Sequence, residues 1–509
     1  MTTTRLTRTF ATLAAAVLPF GAGAAEPVQA HLDVTQQPAG PRIEPTVYGH
    51  FVEHLGRGVY DGLWVSPESP IPNTRGWRND VVGALRQVGI PVMRWPGGCY
   101  ADDYDWRDGI GDPSKRPVRV NRWWGGVESN RVGTHEFMDL VEQLGSEAYM
   151  SGNMGSMPPR AMAEWMEYMT ADGTSTLAEE RRRNGRAKPW SIKYFGIGNE
   201  SFGCGGHMRP EHQADLHNQY ATFLRGQTVR VASGDGEGDD HRVEVLMQRS
   251  AKHMDALTLH YYTIPGDWTK KGDATGFDAR AWAKTLHGAL GIESRLSAIT
   301  KVMDKHDPAR RIGLYVDEWG TWYDTPQGAS ALYQQNSLRD AMVAALTFNA
   351  FHRHTERVKM ANIAQMVNVL QAMVLTDGAK MVLTPTYHAF DLYKPFRGAT
   401  PLAATLEAPR FRTGDIELPA VEASVARAAD GSTQLALVNL DPQRPARVAT
   451  NLKGDARGRV LTAAAVDAHN TFDKPQAVVP APYAARAGAQ GLVLELPPKS
   501  IVVVSVGKP

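Results

Sequence analysis

Cysteine is scarce in this chain of 509 residues, which contains only Cys99 and Cys204. Two cysteines are too few for a disulfide framework or a structural zinc site, so both of those protein classes are excluded. In an exported protein the pair can still form one bridge. Each cysteine follows an apolar run typical of a strand, so we expect the two side chains to lie near each other at the rim of one site.

An excess of charge of either sign is also missing, because 55 basic residues balance 54 acidic ones. Nucleic acids and anionic membrane surfaces attract strongly basic proteins, so neither is expected as a partner. The balance suits a neutral substrate such as a glycan. The composition, 42% hydrophobic with 12 tryptophans, can fill a large core and still line a sugar cleft.

Long apolar runs are missing beyond the amino terminus. Residues 1–25 combine two arginines, an apolar stretch from Phe10 to Phe20 and a small-residue segment that ends at Ala24. We interpret this pattern as a secretory signal peptide, because the run is too short to span a bilayer. The protein is therefore predicted to be periplasmic or secreted, with no membrane partner after cleavage.

Metal-ligand spacings and phosphate-binding loops are the last features the chain lacks. Gly196 and Gly198 form a fragment of a dinucleotide-binding motif, but no helix start follows them. No spacing of histidine and acidic residues resembles a metal-ligand set. We expect neither a metal nor a cofactor.

Apolar segments do recur along residues 46–384, and they alternate with segments of helical periodicity. Eight of them are predicted to be buried strands, at 47–54, 90–94, 147–151, 192–197, 228–232, 256–260, 312–318 and 358–363. The helical segments include 81–88, 136–144, 160–169, 241–248, 281–305 and 338–351. Eight strands with helical spacers predict a (β/α)8 barrel, whose active site forms at the carboxyl ends of the strands.

The pattern changes near residue 384, where helical periodicity stops and short alternating runs take over. Residues 385–509 are predicted to form an antiparallel β-sandwich, and residues 26–45 a strand that joins it. This module either caps the barrel or binds carbohydrate. Its few aromatic residues favour capping.

Two of the predicted strands end on a glutamate. The fourth stops at Asn199-Glu200, and the seventh at Asp317-Glu318. A carboxylate at the end of a buried strand is unfavourable unless it is hydrogen-bonded or used, although either one alone is also compatible with a salt bridge or a helix cap. Two such strand ends predict two carboxylates in one pocket, the requirement of a retaining glycosidase.

Eight segments carry motifs of a known enzyme family, namely 48–57 (YGHFVEHLGR), 94–98 (RWPGG), 102–111 (DDYDWRDGIG), 127–130 (VESN), 193–206, 259–262 (LHYY), 316–319 (VDEW) and 361–369 (ANIAQMVNV). Together they resemble the α-L-arabinofuranosidases of glycoside hydrolase family 51. The resemblance implies a (β/α)8 barrel with a C-terminal jelly-roll-like β-sandwich. It also implies a retaining exo-acting enzyme that releases terminal α-L-arabinofuranosyl residues from arabinoxylan, arabinan or their oligosaccharides, and a homo-oligomer, in many relatives a hexamer.

The resemblance also implies a role for individual positions. Glu200 is the expected general acid/base and Glu318 the expected nucleophile. The residues expected to bind the sugar or position the nucleophile are Glu53, Arg94, Asn199, His260, Tyr262 and Gln365. Arg94 could instead form a salt bridge at the barrel bottom, and His260 either contacts the sugar or hydrogen-bonds a neighbouring side chain.

Some positions depart from the family pattern, and others are compatible with two structural roles. Some relatives have an asparagine that binds the sugar at the position of Cys99. A thiol is a weak hydrogen-bonding group, so that role is not carried over, and Cys99 and Cys204 are expected as either a disulfide or a thiol pair. Trp95, Trp124 and Trp319 form either sugar-stacking surfaces or core.

Two alternative functions are weighed against the furanosidase. Other retaining glycosidases of clan A, such as β-xylosidases and endoglucanases, share the two strand-end glutamates. Glu53 in its Gly-His-Phe-Val-Glu-His context favours the furanosidase. A non-catalytic glycan-binding protein predicts a lost carboxylate, and both carboxylates are present.

Overall fold

The computed structural model describes residues 26–224, 226, 228–236 and 238–507. Residues 1–25, on which the signal-peptide prediction depends, lie outside them. Within the described part of the chain, no helix is both long and apolar enough to cross a bilayer.

Eight parallel strands close into a barrel, each hydrogen-bonded to the next and the eighth to the first. In chain order they are Gly49–Phe51, Val92–Trp95, Glu147–Gly152, Tyr194–Ile197, Val229–Asp235, Ala256–Thr263, Gly313–Thr321 and Val358–Ala364. Each overlaps one of the eight predicted segments. The predicted (β/α)8 barrel is therefore confirmed.

The inside of the barrel is apolar at one end and polar at the other. A buried cluster fills the end where the strands begin, formed by Val92, Tyr149, Tyr194, Val231, Ala256, Tyr315 and Met360. The polar side chains lie further along the same strands, toward their carboxyl ends. This apolar floor closes the inside of the barrel at one end, so the polar side chains inside the barrel gather at the carboxyl ends of the strands.

The helices around the barrel match the predicted helical segments in most places. They are Asn79–Val88, Thr134–Leu144, Pro159–Thr170, Thr176–Arg183, Pro210–Phe223, Asp240–Ser250, Ala279–Leu290, Ile292–His306, Leu338–Arg353 and Pro385–Leu392. The predicted single helix at 281–305 is two helices that meet at Gly291. A Cβ atom at Gly291 would lie 2.6 Å from the hydroxyl oxygen of Tyr261, so a larger residue at this junction would displace that hydroxyl.

Sequence periodicity missed three of these helices. Thr176–Arg183 has few apolar residues, and Pro210–Phe223 buries the polar side chains of Gln213 and His217, which weakens its apolar stripe. Pro385–Leu392 begins with Thr384 as cap and proline in its first turn, and is buried on almost every side. A helix buried all round has no polar face to reveal its period.

The rest of the chain forms a β-sandwich, which confirms the predicted fold class. Ten strands lie in the spatial order Ala481–Ala485, Ala456–Leu461, Ser500–Val506, Thr433–Asn439, Val421–Arg427, Thr400–Glu407, Val28–Pro38, Ala446–Thr450, Gly491–Leu496 and Ala487–Gly488. The N-terminal strand Val28–Pro38 pairs antiparallel with Thr400–Glu407 and parallel with Ala446–Thr450. The exact domain boundaries stay a prediction.

A buried helix joins the barrel to the sandwich. Every residue of Leu338–Arg353 except the last is buried. Its His352 hydrogen-bonds Tyr48 beside the first barrel strand through Nε2 and Ser424 of the sandwich through Nδ1, both at 2.7 Å. Trp282 Nε1 donates to the carbonyl of Leu440 at 3.1 Å. These contacts hold the sandwich against the outside of the barrel.

Candidate active site

Glu318, near the carboxyl end of the seventh strand, is held by two donors. Arg94 Nη1 donates to its Oε1 and the hydroxyl of Tyr262 donates to its Oε2, both at 2.7 Å. The Glu318 side chain is only 6% exposed. These two donors fix the orientation of the carboxylate within the pocket.

Arg94 connects Glu318 to the end of the fourth strand. Its Nη2 donates to Asn199 Oδ1 at 2.6 Å, and its Nε lies 3.2 Å from Asp317 Oδ2. The guanidinium also lies 4.6 Å from the centre of the Phe51 ring. Arg94 therefore lies among the predicted site residues, and the barrel-bottom alternative does not describe its contacts.

Glu200 lies across from Glu318, with His260 between them. His260 Nδ1 is 2.8 Å from Glu200 Oε1 and 3.5 Å from Glu318 Oε2. One carboxylate oxygen of each glutamate lies within 4.8 Å of the other. Carboxyl groups about 5 Å apart leave no room for a water molecule between them and the reacting carbon, which is the retaining geometry. Glu200 also has a φ of 39°, a left-handed conformation that non-glycine residues adopt rarely.

His260 is the second positive group of this cluster, after Arg94. Burial acts against its charged form, but Glu318, Asp317 and Glu200 together raise the pKa of His260 to about 10. Its Nε2 lies 3.2 Å from Asp317 Oδ1. Since both ring nitrogens face carboxylates, the ring acts as a donor to its neighbours. Of the two predicted roles, these contacts fit the hydrogen bond to a neighbouring side chain.

Asp317 was not predicted from sequence. It is 1% exposed, and besides Arg94 and His260 it accepts a hydrogen bond from the hydroxyl of Tyr149 at 2.8 Å. Burial acts to raise the pKa of Asp317, but Arg94 and His260 hold it below the ordinary value. Its position next to Glu318 in sequence was a signal, although only the fold brings its partners together.

Glu53 follows the first strand and forms the other wall of the pocket. Its Oε1 accepts from the backbone N–H of Tyr100 and from Trp124 Nε1, both at 2.9 Å. Gln365 bonds it twice, through the Glu53 N–H at 3.0 Å and through Oε2 at 3.4 Å. Burial and the nearby Glu318 raise the pKa of Glu53 to about 7.

Gly98 lies between Glu53 and Glu318. A side chain there would meet Glu318 Oε1 at 2.8 Å and Glu53 Oε2 at 3.4 Å. Glycine at this position therefore lets the backbone pass close to both carboxylates. Of the six predicted binding residues, Arg94, Asn199, His260 and Tyr262 lie in one network with Glu200 and Glu318. Glu53 and Gln365 bond each other and face that network across Gly98.

Asp102 is a second buried carboxylate to which sequence reasoning gave no role. Its Oδ1 accepts from the N–H groups of Met154 and Gly155 at 2.7 and 2.9 Å, and its Oδ2 from that of Asn199 at 2.8 Å. Burial raises the pKa of Asp102 to about 7, although these donors act in the opposite direction. Asp102 thus ties the ends of the third and fourth strands together directly behind Glu200.

Cys99 and Cys204 are joined as a disulfide, with their Cα atoms 5.5 Å apart. Cys204 Sγ lies 3.4 Å from Glu200 Oε2, and Cys99 Sγ lies 3.9 Å from the same oxygen. A disulfide sulfur has no hydrogen to donate, so these are packing contacts. Of the two expected states, the structure contains the bridge.

Trp95, Trp124 and Trp319 were each predicted to be either a sugar-stacking surface or part of the core, and the structure distinguishes them. Trp95 is buried, donates to His54 Nε2 at 3.0 Å and stacks on Phe137. Trp319 is buried among aromatic rings including Phe390. Only Trp124, bonded to Glu53, belongs to the site.

A cavity of about 680 Å³ opens beside Glu200 and Tyr262. Trp322 and Trp268 line it and were not singled out from the sequence. The rings of Tyr262 and Trp322 are 5.0 Å apart, those of Trp322 and Trp268 are 5.6 Å apart, and Trp268 is 57% exposed. These three rings form an aromatic path from solvent to Glu318.

Comparison with known proteins places these observations in a family. Residues 84–276 match the "Alpha-L-arabinofuranosidase 1 domain" and residues 317–500 the "Alpha-L-arabinofuranosidase C-terminal domain". A Bacteroides ovatus protein named "Intracellular exo-alpha-L-arabinofuranosidase" is 46% identical over 91% of this chain and 93% of its own length.

Solved structures agree with this match. The family 51 arabinofuranosidase of Xanthomonas axonopodis pv. citri is 50% identical, with a TM-score of 0.92, over 94% of this chain and all of that one. The Thermotoga maritima α-L-arabinofuranosidase, solved with arabinose, is 28% identical, with a TM-score of 0.84, over 94% of this chain and 99% of that one.

The predicted periplasmic or secreted location is wrong, because the Bacteroides ovatus relative is named an intracellular enzyme. The prediction depended on residues 1–25 alone, which lie outside the described residues. A short basic and apolar segment is a compositional signal, and no packing or hydrogen bond of the folded protein tests it.

Proposed function

Since the chain belongs to the α-L-arabinofuranosidases of glycoside hydrolase family 51, it is a retaining exo-acting glycoside hydrolase, and we propose the residues that carry out its double displacement. Glu318 is the nucleophile and Glu200 the general acid/base. The observation that carries this assignment is the pair of carboxylate oxygens within 4.8 Å of each other, one beside Arg94 and Tyr262 and the other beside His260.

In the first step, Glu318 attacks the anomeric carbon of the arabinofuranosyl unit and Glu200 gives its proton to the departing oxygen. Arg94 and Tyr262 hold the Glu318 carboxylate in line for attack. His260 donates to Glu200 Oε1. This contact leaves Oε2, the oxygen that lies against the Cys99–Cys204 bridge, to carry the transferred proton.

In the second step, water replaces the leaving group and Glu200 accepts a proton from it. The ester to Glu318 removes one negative charge from the cluster around His260. The negative charge that Glu200 carries after the first step therefore no longer faces a second carboxylate. The water attacks the same face from which the first leaving group departed. The released arabinose therefore keeps the configuration of the substrate.

The sugar is recognised by the residues opposite the two catalytic carboxylates. Glu53, Asn199 and Gln365 present oxygen and nitrogen atoms for the arabinose hydroxyls, and Trp124 keeps Glu53 in place. Hydrogen bonds to sugar hydroxyls from buried groups discriminate strongly, because an analogue that lacks the hydroxyl leaves them unpaired.

The leaving-group side is the aromatic path of Tyr262, Trp322 and Trp268. Aromatic rings stack on the apolar faces of sugar rings, so this path suits the chain of an arabinoxylan, an arabinan or an oligosaccharide from either. The cavity beside Glu200 gives such a chain an exit to solvent.

The test uses p-nitrophenyl α-L-arabinofuranoside with the wild type, Glu318→Ala and Glu200→Ala, each with and without azide. Both variants are expected to lose most activity. Azide should restore Glu200→Ala and give an arabinosyl azide of retained configuration, because it attacks the covalent intermediate. With Glu318→Ala any azide product should be inverted. The opposite pattern of products would exchange the two roles.

A second arm compares the arabinofuranoside with p-nitrophenyl β-D-xylopyranoside and β-D-glucopyranoside. The wild type is expected to cleave the arabinofuranoside and to leave the two pyranosides almost untouched. Glu53→Gln should lower activity on the arabinofuranoside. Efficient cleavage of a pyranoside would contradict the proposed role of Glu53 and Asn199 in selecting the sugar.

The assembly is proposed to be a homo-oligomer, a hexamer, as the family resemblance implies. Light scattering on the purified full-length chain measures the mass directly. A hexamer gives six times the mass of the 55.7 kDa chain. A monomeric mass at micromolar concentration would contradict the proposal.

A further inference from the structure

The disulfide spans the site at the point where Glu200 leaves its strand. On one side, Cys99 follows Gly97 and Gly98, and the next residue, Tyr100, donates its N–H to Glu53. On the other side, Cys204 belongs to a tight turn that begins at Glu200. The N–H groups of Gly203 and Gly205 both donate to the Glu200 carbonyl, at 2.7 and 3.0 Å.

Both segments joined by the disulfide are rich in glycine. Gly97 and Gly98 precede Cys99, while Gly203, Gly205 and Gly206 surround Cys204. Glycine backbones have more conformational freedom than others, so these segments need outside restraint to stay in one arrangement. Asp102 restrains Asn199 by a hydrogen bond, and the disulfide is the covalent restraint on the turn that follows Glu200.

The sulfur atoms also bear directly on the Glu200 side chain. Glu200 Oε1 is 2.8 Å from His260 Nδ1, whereas Oε2 packs against the two sulfurs at 3.4 and 3.9 Å. The bridged sulfurs have no hydrogen, so they limit the position of Oε2 without competing for its proton. Two thiols in the same place would each carry a weak S–H donor aimed at this oxygen.

We propose that the Cys99–Cys204 disulfide is a positioning element for Glu200, and that its reduction slows the steps in which Glu200 transfers a proton. This inference rests on the proposed role of Glu200 as general acid/base. The reductant is a small dithiol such as dithiothreitol. The S–S bond breaks, two electrons and two protons give two thiols on the protein, and the dithiol closes to its own cyclic disulfide.

The first measurement counts thiols in the denatured chain with Ellman's reagent. The untreated enzyme is expected to show none, and the reduced enzyme two. Two free thiols in the untreated, active enzyme would overturn the proposal at once. Far-ultraviolet circular dichroism and tryptophan fluorescence establish that the reduced enzyme remains folded.

The second measurement compares two substrates that need the acid to different degrees. Phenyl α-L-arabinofuranoside has a basic leaving group and needs protonation, whereas 2,4-dinitrophenyl α-L-arabinofuranoside does not. Reduction should slow single-turnover cleavage of the phenyl glycoside about tenfold more than that of the dinitrophenyl glycoside, since a displaced acid loses most where protonation limits the rate. The steady-state KM of both substrates should change little.

The variant Cys99→Ser with Cys204→Ser supplies the control for the reductant. It should behave like the reduced wild type with both substrates, and dithiothreitol should not alter it further. Wild-type rates in both the reduced enzyme and the double variant would overturn the proposal. An equal slowing of both substrates with a raised KM would also overturn it, because that pattern indicates a general structural role.

Glu200→Ala separates this proposal from the assignment on which it rests. If Glu200 is the acid/base, that variant loses activity on the phenyl glycoside far more than on the dinitrophenyl glycoside, and azide restores turnover of the dinitrophenyl glycoside only. If Glu200→Ala treats both substrates alike, the catalytic assignment fails whatever the disulfide does. If it discriminates and the reduced enzyme does not, only the positioning role of the disulfide fails.

Discussion

At the scale of single residues, the centre of the site is a balance of buried charges. The positive groups Arg94 and His260 face the carboxylates of Glu200, Asp317 and Glu318. Removing one member leaves its partners buried without compensation, which is far less favourable than leaving the whole set intact. Substitutions that keep the shape and remove one hydrogen bond are therefore the informative ones.

Tyr262→Phe removes the hydroxyl that donates to Glu318 Oε2. A hydrogen bond to a charged group contributes about 1.5–3 kcal/mol, so kcat should fall about ten- to a hundredfold. Tyr261→Phe is the matched control, because the Tyr261 hydroxyl donates to the carbonyl of Gly288 on the outside of the barrel. Steady-state kinetics on p-nitrophenyl α-L-arabinofuranoside measure both, and an equal effect of the two variants would contradict the role of Tyr262.

Glu53→Gln should stabilise the protein in a pH-dependent way. Burial and Glu318 raise the pKa of Glu53 from 4.5 to about 7, so the wild type has the stability of the protonated form below pH 4.5 and loses it as pH rises through 7. The glutamine variant avoids this loss. Its free energy of unfolding should exceed that of the wild type by up to about 3 kcal/mol at pH 8 and by little at pH 4.

Urea unfolding at both pH values measures the difference, with the exposed Glu407→Gln as control. A gain of the same size at pH 4 and pH 8 would show that ionisation of Glu53 is not its cause. Activity of Glu53→Gln should fall most at pH 8, where the wild-type Glu53 is ionised and the pocket loses a charged acceptor for the sugar.

Some site residues were predictable from sequence, and others required the fold. Glu200 and Glu318 were predictable because a polar pair at the end of an apolar run can be recognised from the sequence alone. Asp102 and Asp317 were not, since the reason for burying each carboxylate is a set of donors from other strands. His260 lies between these two cases: sequence placed it at a strand end but left its partner open.

At the scale of elements, the strands were predictable and some helices were not. A barrel strand is a short apolar run that ends on polar residues, and this contrast survives in the sequence of all eight. The helix Pro385–Leu392 has no such contrast, because its surroundings bury nearly every side chain. Burial on all sides removes the amphipathic period from which helices are recognised.

Asp102→Asn tests how the third and fourth strands are held in register with each other. In the variant, the side-chain amide points an N–H group at a backbone N–H of Met154, Gly155 or Asn199. The two donors repel each other, and one of the present hydrogen bonds is lost. The turn that carries Glu200 should shift, and kcat should fall at least about tenfold while KM changes less.

The neighbouring Asp103→Asn is the control, because Asp103 pairs with the exposed Arg122 at the surface. Its kinetics should match those of the wild type. If Asp102→Asn also matched the wild type, the link between these two strands would not contribute to the position of Glu200.

At the scale of the whole molecule, the barrel and the sandwich should unfold together. Helix Leu338–Arg353 is buried between them, and His352 bonds residues on both sides. Differential scanning calorimetry is expected to show one transition. Ser424→Ala removes one of these bonds and should lower the temperature of that single transition by about 2 °C. Two separate transitions, only one of them shifted, would contradict this coupling.

The position of strand Val28–Pro38 has a consequence for the order in which the protein is made. Its hydrogen-bond partners are synthesised much later: Thr35 bonds a residue 368 positions along the chain, and Val34 one 417 positions along. The barrel strands can pair as they emerge, but this first strand must wait, unpaired, through most of translation. The β-sandwich can therefore be completed only after Ala446–Thr450 has been synthesised, later than all eight barrel strands.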